Sequence, residues 1–249
     1  MLNVGITTYQ AELYKKCQAI SAEYAIPFFQ SAASSLPLYL LVLDQEKLAL
    51  IKTTTKNLKP FYVDFCEGKL AFRKKTMSAK NDLLAKAIGV KKYSQPLVVD
   101  TTTGLGRDSF LLMTLGCKVI MLERNPVLYL LLKDGWRRFA EKFPEVYAEF
   151  DSQLLYQDAK QFLQTEKKFD VIYLDPMFPA RTKSALVKKE MQFLHEIVGL
   201  ADDTQELFAL SIKTAKYRVV VKRPLHAASI TELTPSFYYK GKVIRYDIY

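Results

Sequence analysis

The sequence predicts an α/β protein with a mostly parallel sheet, preceded by a small α+β domain. From about residue 80, short apolar runs alternate with amphipathic stretches, a rhythm typical of parallel strands connected by helices. Before residue 77, apolar and polar residues alternate in short runs that are typical of half-buried antiparallel strands. We therefore expect an N-terminal α+β domain at residues 1–76 and an α/β domain at residues 77–249.

The N-terminal region is expected to contain one helix and two strand pairs. Residues 11–24 have a helical pattern. Residues 38–43 and 47–54 form a first candidate hairpin around a polar turn. Residues 61–66 and 70–73 form a second candidate hairpin around a turn that contains glycine.

The second region repeats strand and helix in a regular order. Its expected strands comprise residues 97–100, 118–122, 154–156, 169–174 and 217–221, with a closing antiparallel pair at 237–239 and 243–248. Its expected helices comprise residues 81–88, 107–115, segments beginning at 126 and at about 159, and residues 184–198. Proteins with such sheets bind ligands beyond the carboxyl ends of the strands, so the polar residues at those ends are the candidate site.

The chain is basic along its whole length. Its 249 residues include 36 Lys and Arg against 26 Asp and Glu, a formal net charge of +10. Such a charge suits a polyanionic partner, nucleic acid above all, although many basic proteins have no such partner.

Cysteine and histidine are too few and too scattered for a structural zinc site. Cys17, Cys66 and Cys117 lie far apart, and His195 and His226 are the two histidines of the sequence. The N-terminus lacks the pattern of a signal peptide, and no apolar stretch approaches the length of a membrane span. We expect a cytoplasmic protein with no metal and no membrane association.

The first strand of the α/β region leads into a loop with two glycines. Asp100 ends the strand, and Gly104 and Gly106 allow a tight turn and close approach of a ligand to the backbone. A dinucleotide-binding loop would have a third glycine where this chain has Ser109. The alternative interpretation is an ordinary strand–helix turn.

Two further carboxylates follow the next two strands. Glu123 lies 19 positions after Gly104, where an acid can accept hydrogen bonds from both hydroxyls of a ribose. Its alternative is a solvated carboxylate. Asp158 could accept from an adenine amino group or could cap the next helix, and these two roles are compatible.

The most specific motif is Asp175-Pro176-Met177-Phe178-Pro179, after the fourth expected strand. It is similar to the (Asp/Asn)-Pro-Pro-(Tyr/Phe) motif of amino methyltransferases. An exocyclic amine on a base is a poor nucleophile, and a carboxylate with a proline-fixed carbonyl can orient it by accepting from its N–H groups. Phe178 would provide a stacking face for the base. The alternative is a tight turn that ends the strand.

Basic residues on the same rim could bind phosphate, although each could equally belong to a solvated helix face. These candidates are Arg181, Lys183, Lys188, Lys189, Lys222 and Arg223.

Several stretches together resemble the small-subunit ribosomal RNA guanine-N2 methyltransferase J family. The matching stretches are residues 99–108, 121–126, 173–179, 183–191 and 219–224. The most specific are Leu-Asp-Pro-Met-Phe-Pro at 174–179 and Lys-Ser-Ala-Leu-Val-Lys-Lys-Glu-Met at 183–191.

The resemblance implies a Rossmann-like class I methyltransferase sheet of seven strands with the last strand antiparallel. It implies S-adenosylmethionine as cofactor, S-adenosylhomocysteine as product, and 16S ribosomal RNA or the small ribosomal subunit as partner. Asp175, Pro176 and Phe178 would then form the catalytic site. The cofactor contacts it implies are Arg107, Asp108, Glu123, Arg124, Asp158, Ala159 and Asp175, beside the loop residues Asp100, Gly104 and Gly106.

Three rival functions stay open at this point. The same amine-holding motif would serve an adenine-N6 methyltransferase on nucleic acid. A nicotinamide oxidoreductase is disfavoured by Ser109 and by the motif at residues 175–179. A basic RNA-binding protein without catalysis is the third rival.

Overall fold

The structure, a computed structural model, describes residues 3–30, 35–55, 59–67, 82–176, 197 and 203–249. The described strands form two sheets, one of three strands and one of seven. The smaller sheet belongs to the N-terminal region and the larger one to the α/β region.

The smaller sheet has the order β1-β2-β3, with β1 parallel to β2 and β2 antiparallel to β3. A short 3₁₀ turn at Ala11–Leu13 leads into the helix that follows β1. The elements are β1 Val4–Thr7, α1 Tyr14–Tyr24, β2 Tyr39–Leu43 and β3 Leu48–Lys52. The helix and the first hairpin are confirmed, whereas β1 was not predicted.

The second predicted hairpin differs from the structure. In the described part of residues 59–67, Phe61 makes one isolated bridge to Leu50 and no further strand pairing follows. The Asp64 carboxylate accepts a hydrogen bond from the backbone N–H of Cys66, and this local turn takes the backbone away from a strand. The other half of that hairpin, residues 70–73, lies outside the described residues.

The larger sheet has the order β6-β5-β4-β7-β8-β10-β9. Strands β4 to β8 run parallel to one another, and β10 is antiparallel to both β8 and β9. The predicted seven-stranded sheet with an antiparallel last strand is confirmed. Its strands are β4 Leu97–Asp100, β5 Lys118–Glu123, β6 Ser152–Tyr156, β7 Phe169–Leu174, β8 Ala215–Pro224, β9 Phe237–Lys240 and β10 Ile244–Ile248.

Asp82, Asn125 and Asp158 cap the helices that they precede. The Asn125 side chain accepts from the N–H groups of Val127 and Leu128, and Pro126 occupies the first turn. The helices are α2 Leu83–Ile88, α3 Arg107–Thr114, α4 Pro126–Lys142, α5 Pro144–Ala148, α6 Ala159–Leu163 and α7 Thr204–Thr214. Of the predicted helix at 184–198, only residue 197 is described. None of the helices in the described ranges has the length and apolarity to span a bilayer.

The seven-stranded sheet is covered on both faces. Neighbouring residues of one strand, such as Val98 and Val99, fall into two separate apolar clusters. Val171 and Ile172 on β7 divide in the same way. This two-sided burial explains why the parallel strands are continuously apolar.

The two sheets share one apolar cluster. Ile6 and Leu50 of the smaller sheet belong to the same cluster as Val98 of the larger one. The backbone N–H of Leu48 also donates to the Asp134 carboxylate of α4 at 3.0 Å. The predicted division at residue 76 falls within residues 68–81, outside the described ranges, and stays a prediction.

Candidate functional site

A cleft opens at the carboxyl ends of the parallel strands, where the sequence placed the candidate site. Seven of the predicted site residues line it: Gly104, Glu123, Arg124, Asp158, Ala159, Asp175 and Pro176. Further lining residues were not predicted: Thr101, Thr102, Leu122, Leu128, Gln157, Lys160, Asp203, Thr204 and Leu207. Asp203 directly precedes α7 and Thr204 is the first residue of that helix. The sequence alone predicts no site residue in this helix.

Glu123 joins the end of β5 to the glycine loop. One carboxylate oxygen accepts from the backbone N–H of Gly104 at 2.9 Å, and the other accepts from the backbone N–H of Asn125 at 2.7 Å. Burial raises the pKa of this carboxyl to about 7, while the two N–H donors act in the opposite direction. Glu123 is therefore a fixed acceptor in the wall of the cleft, not a solvated surface group.

Two predicted cofactor residues, Asp100 and Gly106, support the conformation of the glycine loop, and a third, Arg107, does not contact the cleft. Asp100 is buried and accepts from the Ser109 hydroxyl and from the backbone N–H of Thr102. Gly106 has a φ of +67° and faces Leu132, so it allows α3 to begin close to α4. Neither residue lines the cleft, and Arg107 is exposed at the start of α3 outside it.

Ser109 has a structural role at the position where a dinucleotide-binding loop would have glycine. Its side chain is fully buried and its hydroxyl donates to Asp100. A buried carboxylate needs such a donor, since burial raises the pKa of Asp100 to about 7.

Arg124 ties together two sides of the cleft. Its guanidinium pairs with Asp158 at 3.1 Å and with Asp203, the residue before α7, at 2.5 Å. The Asp158 carboxylate also caps α6 by accepting from the N–H groups of Lys160 and Gln161. The predicted capping role of Asp158 is confirmed, and its predicted contact with an adenine amine stays a prediction.

Asp175 lies directly after β7 and is held from two directions. Its backbone N–H donates to the Thr102 hydroxyl at 2.6 Å. Its carboxylate accepts from the Lys222 ammonium at 2.7 Å. Lys222 also pairs at 2.7 Å with Asp108, which accepts in addition from the Tyr173 hydroxyl.

The structure places three further predicted residues outside the lining of the cleft, and their predicted ligand contacts stay predictions. Asp108 lies beneath the cleft rim and bonds Tyr173 and Lys222 instead of lining the cleft. Lys222 lies between two carboxylates, so its charge is already balanced. Arg223 is 4% exposed and donates to the carbonyl of Ala228.

The remaining predicted residues fall outside the described ranges. They are Phe178, Arg181, Lys183, Lys188 and Lys189. Among the residues that are described, no group of three or more His, Cys, Asp or Glu side chains could hold a metal ion.

The cleft suits an adenosyl compound by its chemistry. Leu122, Leu128 and Leu207 provide apolar surface for a flat heterocycle, and Glu123 provides the acceptor that ribose hydroxyls require. A methyl placed at Gly104 would meet only the Thr102 carbonyl at 3.8 Å, so this backbone is open to close approach from the cleft.

Known proteins similar to this chain agree with that chemistry. Residues 28–249 match the SAM_MT family model, described as "Putative SAM-dependent methyltransferase". A Coxiella burnetii (strain Dugway 5J108-111) protein named "Ribosomal RNA small subunit methyltransferase J" is 46% identical over 212 residues, which is 85% of this chain and 83% of that protein. A Thioalkalivibrio sulfidiphilus protein of the same name is 39% identical over 249 residues, covering 99% of this chain and 97% of that protein.

A solved structure shows the same fold over nearly the whole chain. The crystal structure of a SAM-dependent methyltransferase from Neisseria gonorrhoeae superposes with a TM-score of 0.74 at 29% sequence identity. The match covers 98% of this chain and 95% of that one.

Proposed function

The chain belongs to the family of SAM-dependent methyltransferases, and we propose that it methylates the exocyclic N2 amine of a guanosine in 16S ribosomal RNA. The observation that carries the proposal is the position of Asp175 and Pro176 in the wall of the cleft that suits an adenosyl compound. If this motif holds the amine, Asp175 and Pro176 would place it beside the methyl donor. The ribosomal RNA methyltransferase names of the two relatives support the substrate class.

The cofactor is held, in this proposal, by residues at the ends of β5 and β6, beside the glycine loop that follows β4 and Asp175 after β7. Glu123 would accept from the ribose hydroxyls, and Asp158 with Ala159 would face the adenine. Arg124 would act through its ion pairs, which fix Asp158 and the start of α7. S-adenosylmethionine, when bound, supplies an electrophilic methyl group on a sulfonium.

Asp175 and the Pro176 carbonyl would accept hydrogen bonds from the target amine, and Phe178 would stack on the base. The amine lone pair would then be oriented toward the methyl group that S-adenosylmethionine would supply. The new N–C bond would replace the C–S bond, S-adenosylhomocysteine would leave with the C–S electron pair, and the nitrogen would release one proton to water. Rate acceleration would come from orientation and electrostatics. No covalent bond to the protein is needed.

The basic residues Arg181, Lys183, Lys188 and Lys189 are proposed to contact RNA phosphates near the target base. The net charge of +10 favours such a polyanion. A cytoplasmic location follows from this substrate.

The test is methylation of small ribosomal subunits, and of 16S RNA stripped of protein, from cells that lack this protein. Purified wild type should add one methyl group to one guanosine, located by mass mapping of nuclease fragments. Asp175→Asn should lose about 100-fold or more in rate, while its affinity for S-adenosylhomocysteine stays within about threefold of wild type.

Other results would overturn the proposal. A methyl group found on adenine N6 would favour the rival amine substrate. Absence of cofactor binding in a calorimetric titration would exclude methyl transfer altogether.

A further inference from the structure

Lys222 is an unusual residue for its place in the fold. It lies in β8, one position beyond Val221, which pairs with Leu174 of β7. Its side chain is 23% exposed, and its neighbours Val221 and Arg223 are buried. Lysine is rarely enclosed in this way unless its charge is paired, and the pairing partners show what it does.

The partners of Lys222 form a chain of contacts toward the cleft. The Tyr173 hydroxyl donates to Oδ2 of Asp108 at 2.7 Å, and that same oxygen accepts from the Lys222 ammonium. The ammonium then donates to Oδ2 of Asp175, also at 2.7 Å. Only Asp175 of these four residues lines the cleft.

The two carboxylate oxygens of Asp175 differ in their contacts. Oδ2 is engaged by Lys222, and the backbone N–H is anchored on Thr102. Oδ1 is the oxygen that Lys222 does not engage, and the Asp175 side chain, which lines the cleft, is 37% exposed. An ionised carboxylate accepts hydrogen bonds only, which is what an amine with two N–H groups requires.

We infer that Lys222 is a positioning residue, which favours Asp175 as an ionised acceptor for the target amine and is itself held by Asp108, to which the Tyr173 hydroxyl donates. This inference rests on the proposed function and extends it by one residue that does not touch the substrate. It also explains why a basic residue at the end of β8 lies inside the protein and not on the RNA-facing surface.

Burial raises the pKa of Asp175 and the Asp108 carboxylate acts in the same direction, whereas Lys222 lowers it and so favours the ionised form. The charged and titratable groups that face Asp175 among the described residues come from four elements: Asp100 on β4, Asp108 on α3, Tyr173 on β7 and Lys222 on β8. Burial opposes the charge of Lys222, but the two carboxylates outweigh it and raise the pKa of the ammonium above the ordinary lysine value. Burial, with Asp108 and Asp175, raises the pKa of Tyr173 well above its ordinary value, so its hydroxyl stays a donor.

Without Lys222, two carboxylates would be close together with no cation between them. Like charges that share a buried site raise one another's pKa. Asp175 would then be protonated at higher pH, and a protonated carboxyl is a poorer acceptor for the amine.

The experiment compares Lys222→Met and Lys222→Arg with wild type in the subunit-methylation assay over a range of pH. Lys222→Met should lower kcat about 100-fold at neutral pH and move the acidic limb of its pH profile upward by about one unit. The affinity for S-adenosylhomocysteine should stay within about threefold, and Lys222→Arg should recover at least tenfold of the lost kcat. Lys118→Met, which removes an exposed Lys–Asp pair at the opposite end of β5, is the matched control and should behave as wild type.

A readout without catalysis separates this inference from the proposed function. The carboxyl carbon of Asp175, assigned by its absence in Asp175→Asn, is titrated by ¹³C NMR in wild type and in Lys222→Met. The pKa of Asp175 should be at least one unit higher in the variant. If wild type methylates no guanosine, the proposed function fails, and this titration still tests the role of Lys222.

The inference is overturned by an unshifted Asp175 titration, or by a loss of kcat in which the acidic limb stays in place and cofactor affinity falls equally. Should Lys222→Met not fold, Asp108→Asn serves in its place. The new amide keeps an acceptor for Lys222 and removes the competing charge, so the acidic limb of this variant should not move upward. An upward movement would contradict the inference.

Discussion

The Glu123 carboxylate accepts a hydrogen bond from the Gly104 backbone N–H at 2.9 Å, across 19 positions of sequence. This bond connects the end of β5 with the loop that follows β4. The other oxygen of the Glu123 carboxylate accepts from the backbone N–H of Asn125, whose side chain caps α4. One side chain therefore shapes the glycine loop, anchors the start of a helix and faces the cleft.

Glu123→Gln should weaken binding of S-adenosylhomocysteine about 10- to 100-fold. The amide has one acceptor oxygen, and its NH₂ group would oppose one of the two backbone N–H donors, at a cost of about 1.5–3 kcal/mol. Isothermal titration calorimetry measures the change. Glu141→Gln, at an exposed pair with Arg137, is the control and should bind as wild type does. A dissociation constant within twofold of wild type for Glu123→Gln would contradict the assigned role.

Asp100→Asn should flatten the dependence of stability on pH. The pKa of Asp100 is raised by burial from 3.8 to about 7 in the folded protein. The folded state therefore binds this proton more tightly than the unfolded state does. Protonation of Asp100 therefore adds to the free energy of unfolding. This contribution is complete below about pH 4 and is lost as pH rises toward 7, by up to about 1.4 kcal/mol per pH unit.

Urea unfolding at several pH values between about 4.5 and 6.5 measures this slope. The free energy of unfolding of wild type should contain a component that falls with rising pH, and Asp100→Asn should lack part of it. Glu123 adds a component of the same sign, since its pKa is also raised to about 7. Identical slopes in the two proteins would rule out a buried, proton-binding Asp100.

Gly106→Ala should destabilise the protein by about 2–4 kcal/mol, because strain and a steric clash act together. Its φ of +67° is unfavourable for alanine, and the added methyl would meet Leu132 Cδ1 at 2.6 Å. Gly116→Ala is the matched control, since it has a φ of +82° and nothing within 4 Å. Its cost should be about 1 kcal/mol. Equal losses in urea unfolding would show that packing against α4 contributes nothing.

Asp134→Ala tests the connection between the two sheets. It should lower the free energy of unfolding by about 3 kcal/mol. The Asp134 carboxylate accepts from the Leu48 backbone and from Arg138, whose guanidinium also donates to the Val63 carbonyl. Removing it leaves buried donors without an acceptor. Asp151→Ala, at a pair with Lys118 that is exposed on both sides, should stay within about 0.5 kcal/mol.

The number of transitions in the unfolding curve of Asp134→Ala tests whether the two sheets unfold together. Because the two sheets share one apolar cluster, wild type should unfold in a single transition detected equally by fluorescence and circular dichroism. A separate early transition in the variant would indicate that the N-terminal region unfolds on its own when this contact is lost.

The order of strands and helices in the α/β region was predictable from the sequence because its signals are local. Apolar runs such as residues 169–174 and the capping residues Asn125 and Asp158 act over a few positions of chain. The smaller sheet was predicted less completely. β1 pairs in parallel with β2 across about 35 positions, and four residues give no periodic signal strong enough to predict such pairing.

For the site, the sequence alone predicted which strand ends meet at the cleft, through Gly104, Glu123, Asp158 and Asp175. Only the tertiary structure decided which side chains line the cleft and which lie behind them and hold them by hydrogen bonds or ion pairs. Lys222 and Asp108 have the same sequence signature as surface ligands, yet the pairing of β8 with β7 and the packing of α3 bring them together beside Asp175. The physical reason is that burial and ion pairing arise from contacts across 47 and 114 positions of chain, which no local pattern of residues specifies.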